Sequence, residues 1–442
     1  MKKRVLLIAY AFPPCGGAGV QRTVKFARYL PDFDWLPTIL TVVSSCYGLT
    51  DDSHNDELSK EVEVIRTWHF DPVTRFTKSS GTPTQSNGNN EQHSQNNLVK
   101  QSVRSFAGKS WITFDNTFLI PDQAVLWCPR AIAEGLAAHA RHKFDLIYAT
   151  GEPYSDYFTA SILSRMTGVP YVLDMRDPWT LSPYRSEKRS AVRKSIERWQ
   201  ERQMLAGCRM CLFANRASDL YAEIYPEWAD KLRYLPNGYD AADFNGVAPK
   251  PFDKFTIVHS GTFLPGYRTA DTFLSALRGL LNSQPALSER MQVLFVGKIG
   301  EEQKLIREFS LDGIVHQTGY VPHHESIAYL KGADLLLLVG GNHAWEETGK
   351  VYEYLASGKP ILALVEPKGS AAKVLRETTG TCIIDRDDIA ATEKALADSV
   401  SGKQYPEPQR NSAWVEQYDR KQLTGKLARI FDESLLHPQR KI

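Results

Sequence analysis

The stretch "HAWEETGKVYEYLASGKPILALVEP", residues 343–367, sets Lys350 and Glu353 one helical turn apart, directly after one glycine and just ahead of another. An apolar strand, "PILALV", follows at once. A short helix running straight into a buried strand is one rung of an α/β sheet, and its polar residues point to where such sheets bind ligands. A glutamate on a helix face is most often simply solvated. In a ligand cleft, the same carboxylate can accept hydrogen bonds from a pair of ribose hydroxyls, with Lys350 nearer a phosphate.

Working outward, strand-like runs alternate with helical patterns along the whole chain. The first half reads "RVLLIAY", "PTILTVV", "VEVIRT", "DLIYAT", "YVLDM", "CRMCLFA" and "LRYLP". The second half reads "FTIVHSG", "MQVLFVG", "IVHQTG", "DLLLLVG", "KPILALV" and "TCIID". Alternation of this kind predicts parallel sheets covered by helices, and two series predict two Rossmann-like domains. The break falls at the Pro-rich segment 246–254, which places the N-terminal domain at 1–245 and the C-terminal domain at 254–405. Residues 79–97 are polar and of low complexity, a disordered insertion by composition. A helix over 411–436 is expected to return toward the N-terminal domain.

Composition narrows the class. With 53 basic and 51 acidic residues among 442, the net charge is +2, and nothing points to nucleic acid. Cys208 and Cys211 form a C-x-x-C inside "AGCRMCLFAN", which reads as a buried strand rather than a redox or zinc pair. The N-terminal "MKKRVLLIAYAFPPCGG" imitates a secretory signal, but its apolar run is short and leads into a glycine turn. No window approaches a membrane span. A reduced, cytosolic protein is expected.

Several loops at strand ends are candidate sites, each with a plainer explanation. Gly16, Gly17 and Gly19 in "AYAFPPCGGAGVQR" open a helix whose amides could approach a phosphate or sugar, or could merely let the helix pack. A dinucleotide cofactor is disfavoured, because "TVVSSC" ends strand two without an acid to hold a ribose. "ATGEPYS" and "DMRDPW" lie at the ligand-binding edge of the first sheet, where Arg176 and Asp177 are either functional or a structural salt bridge. Asn237-Gly238 predicts a turn with positive φ. In "HSGTFLPGYR", Gly261 ends a strand and Arg268 could clasp a pyrophosphate, or could sit on a solvated helix face.

Taken in order, "FPPCGGAGVQR", "ATGEPYSDYF", "VLDMRDPW", "LPNGYDAADF", "HSGTFLPGYR", "TGYVPHHESIAYLKGADLLLLV" and "GKVYEYLASGKPILAL" resemble family 4 of the retaining glycosyltransferases, in particular bacterial members of exopolysaccharide and lipid-linked oligosaccharide assembly. The resemblance spans nearly the whole chain. It implies a GT-B fold, two Rossmann-like domains with parallel sheets facing across a cleft. A nucleotide-sugar donor would lie mostly on the C-terminal domain, with a glycan or polyprenyl-linked glycan as acceptor. Glu353 would hold the ribose, Arg268 and Lys350 the diphosphate, and the backbone of Gly319–Val321 the base. Gly261 would lie against the donor, and Gly16 and Gly17 would approach it from the opposite domain. No separate cofactor and no metal are implied. There are departures from the family. A first glutamate seven residues before Glu353 would fall on Trp345, with Glu346 and Glu347 beside it, so Glu346 is the candidate sugar-binding acid. Arg176 stands where many members have histidine, leaving the catalytic polar group between Arg176 and Asp177. A nucleotide-sugar epimerase or a catalytically degenerate scaffold would share the fold.

Residues 182–203, "SPYRSEKRSAVRKSIERWQERQ", carry seven basic residues against three acids. With Lys100, Arg104 and Lys109 they could rest a cytoplasmic enzyme on anionic lipid at the inner face of the plasma membrane. Otherwise Val192, Ile196 and Trp199, at helical spacing, pack on the first sheet.

Overall fold

The computed structural model describes residues 2–16, 18–44, 58–68, 119–182, 189–297, 300, 302–403 and 412–436. The insertion 79–97, Gly17, Lys100, Arg104 and Lys109 lie outside them.

Each strand-like run of the sequence is a strand. The first sheet contains β1 (Lys3–Ile8), β2 (Trp35–Val42), β3 (Glu63–Thr67), β4 (Leu146–Thr150), β5 (Tyr171–Arg176), β6 (Met210–Phe213) and β7 (Leu232–Tyr234), in the order β3-β2-β1-β4-β5-β6-β7. The second contains β8 (Phe255–Ser260), β9 (Met291–Val296), β10 (Val315–Gly319), β11 (Leu335–Val339), β12 (Ile361–Leu364) and β13 (Thr381–Ile384), in the order β10-β9-β8-β11-β12-β13. β1 pairs in parallel with β2 and β4, and β8 with β9 and β11. Both sheets therefore reverse their strand order beside the first strand, the point at which such sheets open a crevice at their C-terminal edge.

β11 shows why the strands read as unbroken apolar runs. Leu335, Leu337 and Val339 enter one core cluster with Phe273 and Leu277, while Leu336 and Leu338 enter another with Val258 and Tyr354. Both faces are buried, so alternation disappears from the sequence.

The chain forms two compact units: residues 1–213, 221–233 and 424–442, and residues 214–220 with 234–423. Residues 234–245 thus pack with the second unit, not with the first as the sequence break suggests. The reason is local. Tyr234 donates its hydroxyl proton to Glu347 at 2.8 Å, and the Tyr239 amide bonds the Tyr418 carbonyl at 3.2 Å. Gly238 does not take a positive φ. It is glycine because a Cβ there would fall on the Tyr418 carbonyl.

In the first unit, Arg22 and Asp174 form a fully buried two-point ion pair, with Nε to Oδ2 at 2.8 Å and Nη2 to Oδ1 at 3.0 Å. The Tyr148 hydroxyl donates to the same carboxylate at 2.6 Å. Two of the quoted motifs, "GVQR" and "VLDMRDPW", therefore meet in one structural knot. Cys211 lies in β6 and Cys208 caps the helix Ala191–Gly207 just before it; both are buried, and burial pushes both thiols up, Cys208 to about 12. Among the described residues no helix is long and apolar enough to cross a membrane.

The packing expected for the basic helix is not found. In the helix Ala191–Gly207, Val192 is 70 % and Trp199 61 % exposed, and Ile196 is exposed too. The inward side is taken instead by Arg193, Glu197, Gln200 and Glu201.

Candidate functional site

The helix Lys350–Ser357 is short and buried on most of its faces: Val351, Tyr352, Glu353, Tyr354 and Leu355 are all buried. It starts where the Lys350 amide bonds the Thr348 hydroxyl and stops at Gly358, whose φ of 75° suits the left-handed end of a helix. Glu353 is therefore not the solvated glutamate that a helix face would ordinarily carry. Its Oε2 lies 2.9 Å from Lys350 Nζ and its Oε1 3.3 Å from His323 Nε2. Burial pushes the carboxyl up, but Lys350 and His323 outweigh it and hold Glu353 well below the usual carboxylate range. His323 Nδ1 lies 3.7 Å from Asp243, so the imidazole is flanked by two acids. Burial lowers its pKa, the Glu353 bond and charge raise it more, and the net shift is upward.

Tyr354, the next residue, ties this helix to the sheet: its hydroxyl accepts the Ser260 amide at 2.7 Å, at the end of β8. Beyond lies a glycine cradle. Gly261 and Gly297 both have φ of 147° and Gly319 has 73°, at the ends of β8, β9 and β10. A Cβ on Gly297 would fall on the Gly261 carbonyl. The Gly297 amide bonds the Gly319 carbonyl at 3.1 Å. All three positions favour glycine for backbone angle, and Gly297 needs it for close approach as well. Val321 packs its side chain against the core cluster, leaving its backbone at the strand end.

Arg268 pairs with Glu346, and Tyr267 donates to the other Glu346 oxygen at 2.6 Å. Arg268 is therefore not a solvated helix arginine, and its Nε is buried without a hydrogen-bond partner. Glu346 lines a pocket with Gly340, Gly341, His343, Thr348 and Gly369. The His343 and Trp345 rings stack at 5.4 Å, 1° from parallel. The two adjacent glutamates thus divide the work. Glu346 faces the pocket, while Glu347 is buried and accepts from Tyr234, Tyr352 and Ser370. Sequence reasoning missed His259, which is buried beneath Gly261. Its Nδ1 donates to the Leu337 carbonyl at 2.9 Å and its Nε2 has no partner. Burial pulls this imidazole down to about 4, so it is neutral and Nε2 is a bare acceptor. The histidine preceding Ser-Gly at a strand end was the available signal.

In the first unit, Arg176 stands at the end of β5 with φ of 53°, just past a shift in register with β6. Its guanidinium donates to the Gly19 carbonyl at 2.7 Å, and a Cβ on Gly19 would meet it at the same distance. A non-glycine residue held in the left-handed region is a feature of functional loops. Asp177 beside it is exposed, and Gly16 is half-buried at the start of the helix Ala18–Tyr29. Arg176 and Asp177 thus belong to the first unit, and Gly261, Arg268, Gly319, Val321, Glu346, Lys350 and Glu353 to the second.

Residues 254–401, which carry all of these second-unit positions, match the family model described as glycosyl transferases group 1. The solved structures extend the likeness to the whole chain. HepE (Alr3699) of Anabaena in complex with UDP aligns over 98 % of this chain and 100 % of its own, at 14 % identity and a TM-score of 0.60. The fold is GT-B. Sucrose-phosphate synthase from Thermosynechococcus elongatus covers 98 % of this chain and 97 % of its own, at 14 % identity and a TM-score of 0.59. A protein described as a putative UDP-N-acetylglucosamine 2-epimerase from Listeria monocytogenes covers 97 % and 95 %, at 10 % identity and 0.53. No curated protein matches.

Proposed function

We propose that the chain is a retaining glycosyltransferase of bacterial polysaccharide assembly. It would move a sugar from a nucleotide-sugar donor to a glycan or polyprenyl-linked glycan acceptor. The observation that carries this reading is Glu353, a buried carboxylate kept ionised by Lys350 and His323 within the region that matches the group 1 family. An ionised carboxylate with fixed oxygens is suited to accept hydrogen bonds from two neighbouring ribose hydroxyls. That HepE was solved with UDP supports a nucleotide-sugar donor for this chain too.

In the reaction, the bond between the anomeric carbon and the diphosphate oxygen breaks, and a bond to the acceptor oxygen forms on the same face. The acceptor proton passes to the departing diphosphate. Arg268 and Lys350 supply positive charge to that leaving group without a metal. Both already hold acidic partners, which keeps the cations oriented before a donor arrives. Glu346, which lines a pocket with Gly341, would touch the transferred sugar. Arg176 and Asp177 are the candidate catalytic groups of the first unit.

An epimerase is the second reading, favoured only by the shared fold. Incubation with UDP-, GDP- and ADP-sugars and a glycan acceptor distinguishes the two. A new glycosidic bond with the donor's anomeric configuration is expected. Epimerised sugar without a new bond would replace this reading.

A further inference from the structure

The helix Ala191–Gly207 is built inside out. Arg193, Glu197 and Glu201 face inward and are satisfied there. Arg193 bonds Glu197 at 2.9 Å and the Leu119 and Pro121 carbonyls at 3.1 and 2.9 Å, and Arg189 reaches Glu197 at 2.5 Å. Glu201 accepts from Thr180, Tyr221 and Tyr225. Its apolar residues Val192, Ile196 and Trp199 face outward. Rotating the helix to bury them would strand Arg193, Glu197 and Glu201, so the exposure is fixed by the packing.

The neighbouring helix, Ser155–Thr167, repeats the pattern. It packs against Ala191–Gly207, and it exposes Ile162 and Met166, the latter by 60 %. Its one acid, Asp156, is fully buried, as are both glutamates of the second helix. The outward faces therefore carry Arg165, Lys194, Arg198 and Arg202 with no carboxylate from either helix. Arg202 is paired with Glu227 at 3.0 Å, whereas Arg165, Lys194 and Arg198 form no ion pair among the described residues.

We propose that this two-helix face docks on an anionic lipid bilayer. Aliphatic side chains and an exposed tryptophan framed by cations suit a shallow seat at the headgroup level, where tryptophan is favoured and basic residues meet lipid phosphates. Val192 to Trp199 spans about 10 Å of helix, enough for a local contact and far short of a bilayer crossing. So few apolar groups give weak insertion, and the cations are needed to hold it. Binding is therefore reversible and salt-sensitive. Its test reads lipid rather than turnover.

The test is co-sedimentation of the full chain with vesicles of phosphatidylcholine alone and of phosphatidylcholine with phosphatidylglycerol. Binding is expected only to the second and should fall as salt rises. Reversing Arg165, Lys194 and Arg198 to glutamate should weaken it more than about tenfold. Val192→Ser, Ile196→Ser and Trp199→Ser together should also abolish it, with the melting temperature kept, because all three side chains lie outside the core. Equal or negligible binding to the two vesicle types overturns the proposal. So does binding untouched by either set of changes. Self-association lost in the serine variant without any vesicle binding would overturn it in favour of a protein interface.

Discussion

Glu346 and Glu347 are neighbours in sequence with opposite surroundings, and they separate stability from ligand contact. Glu347 is buried among Tyr234, Tyr352 and Ser370, and burial pushes its carboxyl up. Glu347→Ala leaves those hydroxyls without their acceptor and should cost about 2–4 kcal/mol in urea unfolding. His323 gives a pH signature. Its folded pKa is raised above the free value of 6.5, so the stability it contributes is fully present below that value. It is lost as pH rises through the raised folded value. The groups facing it are Glu353, Lys350 and Asp243. Melting temperatures of the parent and His323→Gln should therefore differ most at mildly acidic pH and converge in alkali. A gap that widens with pH would contradict the bridge. Neither role was legible in the sequence. Two adjacent glutamates look alike until the chain folds, and His323 acquires its acids from elements far away in sequence.

At the scale of elements, the central strands were readable because they are buried on both faces, which leaves continuous apolar runs such as Leu335–Val339. Glycines at strand ends were readable as turns, but not their reasons. Asn237-Gly238 looks like a positive-φ turn and is instead a close approach to the Tyr418 carbonyl. Gly297, which no motif singled out, has both constraints at once. Gly297→Ala should destabilise the second unit by about 2 kcal/mol or more and weaken donor binding, since its Cβ would push the Gly261 strand end. Unchanged stability and binding would show that the cradle tolerates a side chain. The basic helix was read for its charges, yet helical spacing could not say which face turned inward. The ion pair of Arg193 with Glu197 and the buried hydrogen bonds of Glu201 decided it.

At the scale of the molecule, the alternation of strands and helices was enough to read two Rossmann-like sheets, while the boundary between the units was not. Segments 214–220 and 234–253 join the second unit through contacts that no composition shift marks. From Thr424 onward the C-terminal helix Arg420–Leu436 belongs to the first unit. Phe431 is buried against Trp35 and Tyr148, at 5.2 and 5.6 Å between ring centroids, and Asp432 pairs with Lys3 at 2.6 Å. Phe431→Ala should cost about 3–5 kcal/mol, and calorimetric unfolding should show the loss. The proposed activity rests most directly on the carboxylate of Glu353. Isothermal titration of UDP-, GDP- and ADP-sugars into the parent and Glu353→Gln is the measurement that tests it. Saturable binding of at least one donor should weaken in the folded variant by about 1.5–3 kcal/mol, the cost of hydrogen bonds to a charged group. No binding by the parent, or an unchanged affinity in the variant, would contradict the account.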